Sequence, residues 1–298
     1  GKGHDVQILL RDPSQFSQIP LTLGAGYIIG SLEDERSLGE ACSGRELVIH
    51  LAGLAHVGKG LERQAMESNF VGASNLLIAA TNARVRRFLY LSSTLAEAAA
   101  MGEGDVTAYG ESKFQAEQLI ETASKQGKIS SVILRSVNVY GAGMKGNISR
   151  MISMIERGRL PPLPEVNNQI SLISVDDLAA ALLLAMEADE SGQKSYTVTD
   201  GESYSVAAME RAIYAALGKS FPRWRTPHMV LYGASQIAGF VSSITGGSGA
   251  ISARTYRNLI SDNLFSNEKA VSELGFKPST TFYEELPKLI ESICESAE

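Results

Sequence analysis

Arg87-Phe88-Leu89-Tyr90-Leu91-Ser92-Ser93 and, further on, Tyr109-Gly110-Glu111-Ser112-Lys113 are the stretches on which the reading of this chain turns. The first is an apolar and aromatic run ending in two hydroxyls, the pattern of a buried parallel strand. The second opens a helical stretch reaching about Gln126. Its Tyr and Lys are four residues apart, about one turn, so phenol and ammonium share a face. A nearby cation favours an ionised phenol, and such a phenol can exchange a proton with a carbonyl or alcohol while a hydride moves. Ser93 places a hydroxyl at the carboxyl end of a strand, where open α/β sheets bind ligands. Taken alone, Tyr-x-x-x-Lys reads more readily as an ordinary solvated helix face. The flanks give it meaning: a serine-ending strand before it, and the strand Ser131 to Gly141 after it.

Outward from there, strand-like and helix-like segments alternate, which predicts a parallel sheet covered by helices. Strands are expected at Val6–Leu10, near Tyr27–Ile29, at Leu47–Gly53 and at Tyr196–Val198. Helices are expected at Asn69–Ala83, with Val71, Leu76, Leu77 and Ala80 as the apolar stripe, and at Leu178–Ala188. After Gly201 the pattern changes to helices and long loops, read as a smaller lobe. The expected division is residues 1–140 with 171–200 as one domain, and 141–170 with 201–298 as a second.

The 298 residues are 44% hydrophobic and 20% charged, ordinary for a globular protein. A net charge of −6 argues against nucleic acid or an anionic membrane as partner. Cys42 and Cys294 are far apart and lack metal-ligand spacing, so neither a metal site nor a disulfide framework is expected, and a cytoplasmic setting fits. His4, His50, His56 and His228 are scattered, and His50 reads as a satisfied core residue. Met229 to Ile244 is too polar and too short for a membrane span. Thr245–Gly249 reads as a flexible loop rather than a phosphate cradle.

A dinucleotide-binding sheet begins with a strand, a glycine-rich turn and a helix. Gly3-His4-Asp5-Val6 looks instead like the approach to a second strand. Gly58-Lys59-Gly60 and Gly141-Ala142-Gly143 lack the required context. The expectation is therefore that the native protein carries a preceding strand and glycine-rich turn.

In this order the segments resemble the extended short-chain dehydrogenase/reductase family, in its branch of nucleotide-sugar epimerases, dehydratases and 4-keto-reductases. The matching strings are His50-Leu51-Ala52-Gly53, Asn69-Phe70-Val71-Gly72, Leu91-Ser92-Ser93, Tyr109-Gly110-Glu111-Ser112-Lys113, Asn138-Val139-Tyr140-Gly141, Lys145-Gly146-Asn147, Val175-Asp176-Asp177-Leu178 and Leu274-Gly275-Phe276-Lys277-Pro278. The resemblance implies a doubly wound, Rossmann-type α/β fold with a smaller carboxyl-terminal α/β substrate lobe. It implies that Tyr109 is the catalytic acid/base, that Lys113 lowers its pKa and binds the nicotinamide ribose, and that Ser93 holds the reacting oxygen, with Thr94 as the alternative occupant on the substrate side. Cofactor contacts are implied for Arg11, Leu32, Leu51, Ala52, Gly53, Asn69, Ser92, Ser136 and Val137 as well as Tyr109 and Lys113. Substrate contacts are implied for Asn138 and Asn147, the latter alternatively a loop-capping amide.

Within that resemblance Leu10 stands where NAD-preferring relatives carry an acid, and Arg11 follows. A guanidinium there suits a 2′-phosphate, which favours NADP over NAD. The rival reading is that Arg11 pairs with Asp12 or caps its loop. Three departures are visible: a short stretch from Ser93 to Tyr109, Ile170 where many relatives carry arginine, and Ser136 in place of a frequent proline. The implied function is hydride transfer to or from a sugar carbon of a nucleotide-diphosphate sugar, in a homodimer joined by the Asn69 and Tyr109 helices. The alternatives are a reductase of small non-sugar carbonyls and a silent dinucleotide-binding regulator.

Overall fold

The computed structural model describes residues 3–14, 24–55, 60–102, 106–188, 192–227, 229–230, 232–233 and 261–295. His56, His228, the glycine-rich run 245–249, most of 229–244 and the first two residues of Gly58-Lys59-Gly60 lie outside them. The chain divides into two compact units, Gly1–Arg135 with Leu182–Tyr196, and Ser136–Ala181 with Thr197–Glu298.

The first unit begins with strands β1 (Gln7–Leu10) and β2 (Gly26–Ile29), paired in parallel. Helix α1 (Glu35–Cys42) starts at Asp34, whose carboxylate accepts from Arg36 N. Strand β3 (Leu47–His50) pairs in parallel with β4 (Arg87–Ser93). Between them lie the single turn α2 (Glu62–Ala65), a π-helical turn over Met66–Val71 and α3 (Gly72–Asn82). Next come α4 (Thr94–Met101), α5 (Ala108–Lys125) and β5 (Ser130–Ser136). The sheet runs β3-β4-β5-β8, where β8 is Gln193–Val198. Parallel strands with helices between them are the α/β class that the alternating pattern predicts.

The reason is burial. Phe88, Leu89, Tyr90, Ile133 and Leu134 are sealed completely, as strands covered on both faces require. One face packs with Leu76, Leu77 and Ala80 of α3 and with Ala116 and Ile120 of α5. Each large side chain so buried contributes about 1.5–3 kcal/mol. β3 is an edge strand of its sheet, and Ile49 and Leu51 remain 39% and 53% exposed.

The second unit holds β6 (Asn138–Tyr140) paired in parallel with β7 (Leu172–Ser174). Helices α6 (Asn147–Glu156), α8 (Val206–Ala216) and α10 (Phe282–Glu295) surround a core of Tyr140, Ile152, Leu172, Tyr204, Ile213 and Phe282. Helix α7 spans Val175–Glu187, and α9 (Glu268–Leu274) precedes α10. Two tyrosine hydroxyls donate to one buried carboxylate, Tyr204 Oη at 2.7 Å and Tyr140 Oη at 3.2 Å from Asp200 Oδ2. The buried Glu210 carboxylate is held by Arg225 and accepts from Leu163 N at 3.2 Å.

Two expectations need correction, and one gap is filled. The strand anticipated from Ser131 to Gly141 is two strands: β5 belongs to the four-stranded sheet, and β6 pairs with β7. The short stretch after Ser93, to which the sequence pattern assigns no element, is helical from Thr94 to Met101. The helix over 69–83 begins inside a π-helical turn, so its register shifts at Asn69.

Candidate active site

Ser93 occupies two roles at once. It is the last residue of β4 and the N-cap of α4, its Oγ accepting from Leu95 N at 3.3 Å. Thr107 caps α5 in the same way, accepting from Gly110 N at 2.8 Å. Gly110 is what lets the two helices meet. A Cβ there would sit 2.4 Å from the Leu95 carbonyl oxygen, a clash with backbone that only glycine avoids. The sequence thus folds locally so that the first turn of α5 lies against the carboxyl end of β4.

The three residues singled out in the sequence come together there. A side-chain hydrogen bond links Tyr109 to Ser93. Lys113 is 3% exposed, and its Nζ donates to Leu91 O at 2.8 Å. The ammonium lies 4.6 Å from the centroid of the Tyr90 ring and 6.0 Å from that of Tyr109. Burial draws the Lys113 pKa down to about 8, against which the Glu117 carboxylate pulls upward. Burial pushes the Tyr109 phenol above its ordinary value, and the Ser93 hydrogen bond opposes it. The resemblance implied a net lowering at Tyr109. In this arrangement desolvation of the phenolate outweighs the groups that favour it.

Around these groups is a shell that the sequence reading passed over or misjudged. His50 stacks on Tyr90 at 5.5 Å, and burial, then Lys113, hold its pKa down to about 3. It is buried as expected but not satisfied, since neither His50 Nε2 nor Tyr90 Oη has a hydrogen-bond partner among the described residues. Glu117, one turn beyond Lys113, is 1% exposed and takes the Arg135 guanidinium in a fork, with Nη2 to Oε2 at 2.7 Å and Nε to Oε1 at 3.1 Å. Arg135 Nη1 also lies 3.8 Å from Glu97 of α4. A charged residue inside the apolar run of β5, and an acid continuing the Tyr109–Lys113 stripe, were the available signals.

Asn69 is fully buried in the π-helical turn. Its Oδ1 accepts from Leu54 N at 2.6 Å, and its Nδ2 donates to Leu54 O and Ser112 Oγ. It thereby clamps the turn after Gly53 onto α5. A Cβ at Gly53 would lie 3.0 Å from Asn69 Oδ1 and 3.3 Å from Lys113 Nζ, so a side chain here would press on the amide and the ammonium. Leu51 and Ala52 are exposed just before it, and Ser92 and Thr94 are buried beside Ser93.

The other expected residues are placed elsewhere in the fold. Arg11 is exposed directly after β1, where Asp12 Oδ1 accepts from Ser14 N at 2.9 Å. Leu32 follows β2, and its carbonyl accepts from Asn75 Nδ2 at 2.8 Å. Ser136, Val137, Asn138 and Asn147 belong to the second unit. Ser136 and Val137 are buried, Asn138 is exposed at the start of β6, and Asn147 is the exposed first residue of α6. No side chain caps α6, so Asn147 is not its capping amide. Ile170 is bridged by backbone hydrogen bonds to Tyr204 and packs into the second unit's core.

Comparison with known proteins extends this geometry. A UDP-glucose 4-epimerase of Vibrio cholerae is 28% identical over 61% of this chain and 59% of its own length. A 3beta-hydroxysteroid dehydrogenase/Delta(5)-Delta(4) isomerase of Caenorhabditis elegans is 26% identical over 96% of this chain and 65% of its own length. The chain thus spans about three fifths of the length of these relatives. The crystal structure of a UDP-glucose 4-epimerase from Thermotoga maritima superposes with a TM-score of 0.75, covering 100% of this chain and 93% of that one at 19% identity, which establishes the Rossmann-type fold. The family model matches residues 1–207, with all three converging residues inside it, and the chain belongs to the NAD dependent epimerase/dehydratase family.

Proposed function

We propose that this protein moves a hydride between a nicotinamide dinucleotide and a sugar carbon of a nucleotide-diphosphate sugar, as an epimerase or a 4-keto-reductase. The observation that carries the reading is the convergence of the Ser93 hydroxyl, the Tyr109 phenol and the Lys113 ammonium within one unit. The exposed backbone at Leu51–Gly53, with a bare Cα beside Lys113, fits the close approach of a nicotinamide ribose. The dinucleotide, when bound, supplies or accepts the hydride.

The chain's own groups handle the proton. Tyr109 Oη gives a proton to the carbonyl oxygen as it becomes an alcohol, or takes it back in the other direction. Ser93 donates a hydrogen bond to that oxygen and fixes where it sits. Lys113 stabilises the phenolate left on Tyr109. The exposed guanidinium of Arg11, after the strand where relatives read the ribose, supports NADP over NAD through a bidentate contact to a 2′-phosphate. Asn138 and Asn147 are assigned to the substrate side.

The deciding experiment is Tyr109→Phe assayed with a 4-keto sugar nucleotide. Turnover falls by at least about a thousandfold if Tyr109 transfers the proton, while dinucleotide binding persists. Unchanged turnover removes the assignment. A second reading, reduction of a non-sugar ketone, is favoured by Ile170, an apolar side chain where the family resemblance has an arginine in many relatives, and by the steroid dehydrogenase relative. Free UDP competes with substrate only under the first reading.

A further inference from the structure

We propose that Glu117 is a positioning residue for the acid–base group: pinned by the Arg135 fork, its carboxylate holds the buried Lys113 side chain in its charged form. This rests on the proton-transfer role given above to Lys113 and Tyr109.

Tyr109, Lys113 and Glu117 form one stripe along α5 at successive four-residue steps. Lys113 and Glu117 are both within 3% of complete burial. An ammonium taken out of water tends to shed its proton unless an anion offsets the lost hydration. The groups facing Lys113 show which anion is present. From β3 comes His50, neutral and unable to help. From β4 come the face of the Tyr90 ring and one carbonyl, Leu91 O. From the π-helical turn comes the neutral amide of Asn69. From α5 itself come the Tyr109 phenol and Glu117. Glu117 is the negative charge of this set, and its pull on Lys113 opposes the effect of burial.

Arg135 explains why that charge can stay. A carboxylate so buried requires a paired cation with good geometry, and Arg135 meets it with three contacts of 2.7 to 3.2 Å. Glu97 sits 3.8 Å from the guanidinium on its other side, so one cation from β5 is shared between two acids. The set Lys113, Arg135, Glu117 and Glu97 is neutral as a whole. Removing one acid leaves excess positive charge beside the ammonium.

The test reads Lys113 directly, with no cofactor or substrate present. The full chain is labelled with 13Cε-lysine, the Lys113 signal is assigned by its loss in Lys113→Arg, and its pH titration is followed by NMR. In Glu117→Gln the titration moves down by about one pH unit, and Glu117→Asp, which keeps the charge, stays close to the parent. Glu210→Gln breaks a similar buried pair in the other unit and leaves Lys113 unmoved. A folded Glu117→Gln protein with an unmoved Lys113 titration overturns the proposal and leaves Glu117 a structural anchor. If that variant does not fold, the double variant Glu117→Gln/Arg135→Gln strands no guanidinium; because Glu117 and not Arg135 acts on Lys113, the titration still moves down, by less than in the single variant, and an unmoved titration overturns the proposal. The assay of Tyr109→Phe turnover is independent of this titration, so failure of either reading is seen separately.

Discussion

The two units each bury a glutamate against an arginine, and what lies beside the two pairs sets them apart. Glu117 and Glu210 are 1% and 0% exposed, and each meets a guanidinium whose side chain is 20% exposed. In the second unit, Arg225 lies 4.4 Å from the Phe221 ring centroid, and both partners also bind the backbone of Leu163. That pair staples a loop to α8. In the first unit the pair stands one turn from a buried ammonium and a phenol. The same local chemistry is scaffolding in one place and, by our reading, a control on proton transfer in the other.

Breaking the pairs gives the largest expected effect. Glu117→Ala and Glu210→Ala should each cost about 3–5 kcal/mol of stability in urea unfolding, because each leaves a largely buried cation unmatched. Similar losses for the two, with altered Lys113 titration in the first alone, would sharpen the contrast. A much smaller loss at Glu117 would mean that Glu97 takes over Arg135. Next comes acidity. The unfolded chain protonates His50 near pH 6.5 and the folded one only near 3, so stability falls as pH drops through that window. Between pH 6.5 and 5 the loss from this residue is about 2 kcal/mol, seen as the difference between the parent and His50→Phe in urea titrations at pH 7 and 5. Gly110→Ala should cost about 1–3 kcal/mol by forcing α4 and α5 apart, measured in the same way. Smallest is Arg211→Ala. Its pair with Glu165 is half exposed, and its loss should change stability by less than about 1 kcal/mol. A larger change would show that exposure is not what separates the pairs.

What the sequence disclosed follows the physics of each segment. β4 and α5 were legible because a fully buried strand must be continuously apolar, and because Tyr109 and Lys113 recur at a helical step. α4 was not, although Ser93 is a good cap and Leu95-Ala96-Glu97-Ala98-Ala99-Ala100 a good helix. Its short length hid it. The break between β5 and β6 was invisible, since Arg135-Ser136-Val137-Asn138 reads as continuous strand while hydrogen bonding assigns the halves to different sheets. Ser93, Tyr109 and Lys113, which the structure brings together, stand out by type and spacing. Glu117 and Arg135 each left a local sign, but their pairing across 18 residues leaves no periodic trace. The direction of the Tyr109 shift depends on burial, which no motif encodes.

Asn69 reaches both Leu54 and Ser112 only because the chain is wound one residue wider over Met66–Val71. A helix closing at the ordinary step turns about 100° per residue. Deleting one codon in this stretch would relax the coil to normal winding and rotate the amide away from the turn it grips, with every remaining residue chemically intact. Here the message lies in the number of letters as much as in which letters they are.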